Sequence, residues 1–200
     1  MSSRDYKTIH PKTRKAWRQW LEKNHTVLPG VWMIYYKKGS EKRRFDYGEA
    51  VEEALCFGWI DSLPRKLDEA RSMLKFTPRK AKSPWSQLNK KRINRLIAAG
   101  LMVETGLAKI EKAKKDGSWE KLTSTDSHID GNTLPDDLLK AFGKNKKALA
   151  NFKSFAPGYR KRFLFWIDCA KHPETKYARI QQTVMMAKAN KKPGVQGFKL

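Results

Sequence analysis

Acidic residues are scarce in this chain. Its 200 residues carry 20 Asp and Glu against 43 Lys and Arg, a formal net charge of +23. No acid occurs from Ala70 to Val103, from Leu138 to Ile167, or after Glu174. So large an imbalance repels cationic partners and draws in polyanions such as nucleic acid, anionic lipid or acidic protein. Cysteine is scarce too. Only Cys56 and Cys169 are present, each in an apolar segment, which excludes a disulfide-stapled scaffold and reads as two small buried thiols. No apolar run reaches the roughly 18 residues a membrane span needs, and the opening residues lack the apolar core of a secretory signal, so the expectation is a soluble, cytoplasmic protein. His10, His25, His128 and His172 are scattered without metal-ligand spacing. A glycine-rich phosphate loop is missing, and Ser83 and Ser86 stand in no nucleophile-elbow context. No catalytic residue, metal or cofactor is therefore assigned, and the chain leans toward a non-enzymatic role.

Aromatic residues, by contrast, are plentiful, with 7 Trp, 6 Tyr and 9 Phe, enough with the aliphatics to build a proper core. From Pro11 a helical pattern puts Ala16, Trp17, Trp20 and Leu21 on one side. The β-branched and aromatic run VWMIYYKK from Val31, bounded by Gly30 and Gly39, reads as a strand. Asp46 and Glu49 then form a capping box for a helix stopped by Gly58. Between Gly58 and Pro78 the period shortens, which predicts strands with a turn at Pro64. From Ser83 the pattern is helical. Ser83 and Pro84 open a helix that ends at Gly100, and a second helix runs from Leu101 to Asp116. The polar stretch SWEKLTSTDSHIDGNT reads as a long surface loop. Helices then open near Pro135, Asn145, Pro157 and Pro173, the last carrying Tyr177, Ile180, Val184 and Ala187 on one face. The expectation is an α+β chain, with a small α+β domain over residues 1–82 and a helical region over 83–200 whose tail is disordered from about 191.

The segment FTPRKAKSPWSQLNKKRINRL, Phe76 to Leu96, is the leading candidate site. It joins the cations Arg79, Lys80 and Lys82 to an expected helix start, where unpaired backbone N–H groups also favour an anion. Helical winding puts Asn89 and Arg92 in the arc of Trp85, Leu88 and Leu96. Arg92 offers a planar fork to a phosphate, Asn89 a base-reading amide, and Trp85 a stacking face. The structural alternative makes Trp85 core, has Asn89 satisfy buried backbone groups and has Arg92 lay its stem on the core with its head in water, while Lys90, Lys91 and Arg95 lie off that face in solvent. A basic block from Lys140 to Arg162 interleaves Lys144, Lys146, Lys147, Lys153, Arg160 and Lys161 with Phe142, Phe152, Phe155 and Tyr159; helix-core spacing assigns the rings to the core and the cations to the surface. A second functional reading is a ligand pocket or active site between sheet and helices, lined by Trp59, Asp61 and Arg92. A third is a module for an acidic protein partner.

The strings ALCFGWIDS, FTPRKAKSPWSQLN, AGLMVETG and FWIDCAKHPETKYARI resemble the bacterial YdeI/OmpD-associated family, the bacteriocin-protection proteins. The resemblance implies an amino-terminal α+β part grouped with YjbR/CyaY-like proteins and an all-helical carboxy-terminal part. It implies a role in bacteriocin or antimicrobial stress tolerance and supplies no catalytic residues. Its YjbR side implies DNA binding, in keeping with the charge. Its CyaY side implies iron held on an acidic ridge, which a chain at +23 lacks; Glu49, Glu52 and Glu53 read as a capping and solvated helix face. The resulting expectation is a cytoplasmic protein that binds an anionic partner, with nucleic acid first.

Overall fold

The computed structural model describes residues 6–143 and 145–194. The contacts gather the chain into two compact units, 1–120 and 121–200. The sequence places a boundary after residue 82. Segment 83–120 clusters with the sheet because Trp85, Ile93, Leu96, Ile110 and Ala113 are buried in the same core as Trp17, Val51 and Phe76.

The first unit holds strand β1 (Thr8–Ile9), helix α1 (Arg14–Asn24), strand β2 (Val31–Tyr36), helix α2 (Tyr47–Cys56), strands β3 (Trp59–Lys66) and β4 (Arg71–Pro78), and helices α3 (Gln87–Ala98) and α4 (Glu104–Lys115). The sheet order is β1-β2-β4-β3, with β1 parallel to β2 and the other pairings antiparallel. The fold is α+β, as expected. α1 starts at Thr13, whose hydroxyl accepts from Ala16 N at 3.1 Å, two residues beyond Pro11. The capping box of α2 is present in full: Glu49 N donates to Asp46 and Asp46 N donates to Glu49, at 2.8 and 2.7 Å. Pro64 makes no turn. It lies inside β3, an edge strand that tolerates proline, beside a register shift between Asp61 and Pro64. The turn falls at residues 67–70, where Asp68 Oδ1 accepts from Ala70 N and Arg71 N. The inward row of the sheet, Val31 and Met33 paired with Phe76 and Leu74, meets Trp17 and Leu21 of α1 and Val51 of α2 in the core. Two indoles are fully buried because their N–H groups find carbonyls: Trp17 on Ala50 and Trp59 on His25, both at 3.0 Å.

The second unit is helical among its described residues: α5 (Thr123–Asp130), α6 (Asp136–Gly143), α7 (Lys146–Ser154), α8 (Pro157–Asp168) and α9 (Pro173–Lys188). Its core is a phenylalanine cluster, with Phe142 and Phe163 5.2 and 5.8 Å from the ring of Phe152. Phe155 joins them, while Lys146, Lys147 and Lys153 are exposed, as helix-core spacing requires. α5 replaces the expected surface loop. Thr125 and Asp126 are buried there because Thr125 donates to Asp168 at 2.9 Å and Asp126 pairs with Lys161, partners more than thirty residues away. Tyr177, expected on the buried face of α9, is 66% exposed, and Cys169, expected buried, is exposed at the end of α8. Lys192 lies 5.5 Å from the ring centre of Tyr159; the remaining tail, 195–200, and Lys144 lie outside the described residues. No helix among the described residues is long and apolar enough to cross a membrane.

Candidate functional site

A small cleft in the first unit is built by two close approaches. Gly58 ends α2 in the left-handed region, at φ +71, and its carbonyl accepts from Arg79 N at 2.9 Å, which fixes the loop leaving β4. Gly106 on α4 lies so near the end of α2 that a Cβ there would come within 2.1 Å of the Cys56 carbonyl oxygen. That contact seats α4 beside the loop. Lys109 and Lys112, one turn apart on α4, then face the same cleft as Arg79, Lys80 and Lys82. The accessible volume is about 30 Å³, room for a water or for the oxygens of one oxyanion.

Arg79 dominates its electrostatics. The residue is 4% exposed, its guanidinium carbon lies 3.6 Å from the centre of the Trp85 ring, and Nη2 donates to the Pro84 carbonyl at 2.7 Å. Its Nε has no hydrogen-bond partner, and no carboxylate pairs with it among the described residues. Burial pulls the guanidinium down to about 10, with Asp61 opposing through space. A buried cation with no carboxylate in contact carries a desolvation cost that Asp61 offsets only in part, and a bound anion relieves the rest. Among the described residues, Asp116 is the one acid lining the cleft, against five cations. It accepts from Ser118 N at 2.9 Å and from Lys82 N at 3.2 Å, Lys82 itself sitting at φ +60. Hydrogen bonds from Ser118, then from Lys82, hold its carboxyl below the usual range.

With this geometry in view, the comparisons with known proteins divide the chain in two. Residues 9–109, half of its length, match the family described as a domain of unknown function, DUF8412. The chain belongs to the DUF8412 family. Residues 132–190 match the family described as bacteriocin-protection, YdeI or OmpD-associated. The YdeI/OmpD resemblance therefore holds over the carboxy-terminal part, where FWIDCAKHPETKYARI lies, while the other three strings fall inside the DUF8412 segment. No curated protein and no solved structure matches the chain. Arg79, Lys80, Lys82 and Lys109 of the cleft belong to the DUF8412 segment, and Lys112 and Asp116 lie just beyond it.

The DUF8412 segment places the expected site residues in two groups. Arg79, Lys80, Lys82 and Trp85 line the cleft together. Asn89 and Arg92 are not among its lining residues; Arg92 donates to Asn89 at 3.0 Å on α3. The helix opens at Ser86, whose hydroxyl accepts from Asn89 N at 3.3 Å, and not at Ser83. The three cations therefore sit in a loop instead of at a helix N-terminus. Trp85 precedes the helix, is 2% exposed, and has the Arg79 cation over its ring and Trp119 at 5.2 Å. It is core, with no face free for a base. Leu88 is 57% exposed, while Lys90, expected in solvent, is buried and pairs with Glu120 at 3.0 Å.

The residues of the expected pocket, Trp59, Asp61 and Arg92, each have partners within the first unit. Trp59 is core, Asp61 accepts from the Tyr47 hydroxyl at 2.8 Å, and Arg92 is engaged with Asn89. Burial and then Asp61 push the Tyr47 phenol upward. Glu53 also departs from the expected solvated face: it is 4% exposed and accepts from Arg14 and Arg18 at 2.6 and 2.8 Å. The sequence does not point to Lys109 and Lys112, because their i, i+3 spacing says that they share a face, but not which loop that face meets.

Proposed function

We propose that this protein is a non-catalytic, cytoplasmic, polyanion-binding protein that acts in bacteriocin or antimicrobial stress tolerance, with nucleic acid as its anionic partner. The observation that carries the reading is the buried Arg79 guanidinium, without a paired carboxylate among the described residues, in a cleft of five cations to one acid. A phosphate oxygen in that cleft would supply the missing counter-charge. The match of residues 132–190 to the bacteriocin-protection family supports the stress role, and the net +23 supports a polyanionic partner. The DNA-binding side of the YjbR/CyaY-like grouping belongs to the same reading.

A second reading, a small anionic ligand, is favoured by the cleft's size of about 30 Å³. Binding of nuclease-treated protein to fluorescent single- and double-stranded oligonucleotides across a salt series separates the two. A nucleic-acid partner gives binding that survives near-physiological salt with one form preferred; a small-ligand site gives only weak, salt-sensitive retention. Replacing Lys80 and Lys82 by Ala should flatten the log–log salt slope by up to about 2, near 0.9 per lost phosphate contact. Unaltered affinity and slope in a folded double variant would remove the cleft from the mechanism.

A further inference from the structure

The sheet has a second face. The strand register sends Val31, Met33, Leu74 and Phe76 toward α1 and α2, and sends Trp32, Tyr36, Arg71 and Lys75 the other way, since side chains alternate along a strand. On β3, Arg65 pairs with Met73 and so joins this outer row. Trp32 is 8% exposed yet lies outside the unit's apolar core cluster. A cation lies over it: the Arg65 guanidinium carbon sits 4.5 Å from its ring centre. A second pair repeats the arrangement alongside, with Lys75 Nζ 4.2 Å from the ring centre of Tyr6. Gly30 permits this, because a Cβ there would lie 2.8 Å from Tyr6 and 2.9 Å from Thr77. No outward position of the four strands carries Asp or Glu. Past Tyr36 the face runs into an open groove of about 540 Å³, with Arg71 and Lys42 on its walls and Glu41 as its one acid.

We propose that this outer sheet face is a stacking platform for unpaired bases, and that its occupant is single-stranded nucleic acid. The inference rests on the reading that the anionic partner is a nucleic acid, and adds a separate surface for the bases. Trp32 and Tyr6, each with a cation over its ring, and Tyr36 beside them combine what an unpaired strand requires: π-faces for bases and positive charge for the phosphates between them. Arg65 is exposed, so it can swing from Trp32 to a phosphate while a base takes its place on the ring. Duplex DNA, with its bases already stacked and paired, presents no such ring to the platform.

The test compares an oligothymidine with an abasic phosphodiester chain of equal length, at fixed salt. Wild-type protein should bind the oligothymidine more tightly. The charge-conserving change of Tyr6 and Tyr36 to Leu should weaken oligothymidine binding about tenfold and leave abasic binding unchanged, since stacking is lost and charge is not. Equal affinity of the wild type for both chains would overturn the platform and leave polyanion binding standing; no binding to either would overturn both. Should the double variant fail to fold, photocrosslinking of a 4-thiothymidine oligomer to wild-type protein decides. Crosslinks in residues 6–9 and 31–36 support the platform, and crosslinks confined to 79–118 overturn it.

Discussion

The guanidinium of Arg79 stacks on the indole of Trp85, 3.6 Å from its centre, and no carboxylate among the described residues completes the pair. The indole face and one carbonyl replace only part of the water the cation has lost. Arg79→Met, which keeps the stem and removes the charge, should therefore raise stability by about 1 kcal/mol. It should also abolish the extra thermal stabilisation that phosphate gives the wild type, because a ligand bound only to the folded state adds RT ln(1 + [L]/Kd). Melting curves with and without phosphate, wild type against variant, check both halves. A variant that melts lower and still responds to phosphate would reduce Arg79 to a packing residue.

Gly106 should tolerate no side chain. The Cys56 carbonyl lies 2.1 Å from the position of its Cβ, and that oxygen belongs to backbone that cannot swing aside. Gly106→Ala should cost about 3 kcal/mol or more, as overpacking against a fixed wall does. Gly100→Ala is the control. Its φ of +65 is strained for alanine but its Cβ would meet open space, so the cost should stay near 1–2 kcal/mol. Denaturant unfolding of the two variants measures the difference.

Glu53 joins two helices through Arg14 and Arg18. Its side chain is 5% exposed, while the arginines are 34% and 25% exposed. Glu53→Gln should destabilise by about 2 kcal/mol, below the usual cost of breaking a buried pair because water, Glu52 at Arg14 and Glu22 at Arg18 still reach the cations. A loss under 0.5 kcal/mol in urea titration would contradict the structural weight given to the pair.

Cys56 sets an alkaline limit. Burial, followed by the charge of Glu53, pushes its thiol up to about 11 from an ordinary value near 9. The folded state then holds the proton more tightly than the unfolded chain. The stability this contributes is complete below about pH 9 and is lost as pH rises through about 11, a change of about 3 kcal/mol. Wild type should therefore lose stability relative to Cys56→Ala across that window, and parallel pH profiles would refute the assignment.

The two thiols should also differ in access. Cys169 is exposed and Cys56 buried, so a thiol reagent should label one cysteine rapidly in the native protein and both in denaturant. Fast labelling of Cys56 would place it outside the core.

Much of the fold was legible from local chemistry. Asp46 and Glu49 announce α2 because a capping box acts across three residues, and Leu74 and Phe76 announce β4 because alternation is a property of neighbours. The cleft was half legible. The loop cations stood out as a cluster in sequence, whereas Lys109 and Lys112 join them only through the contact of Gly106 with Cys56, fifty residues away. Ser83 made a plausible cap, but the loop is taken up by the burial of Arg79 and Trp85, so the helix waits for Ser86.

What the sequence determined by itself was the α+β class, the order of nearly all its elements, the aromatic identity of both cores and the dearth of acid that leaves the chain at +23. Tertiary structure alone decided which polar groups leave water: Glu53, Arg79, Lys90, Thr125 and Asp126 are buried, and each looks like surface or loop in its local string. The physical reason is range. Periodicity, caps and turns act over a few residues, but the desolvation of a charge depends on what the rest of the chain brings beside it.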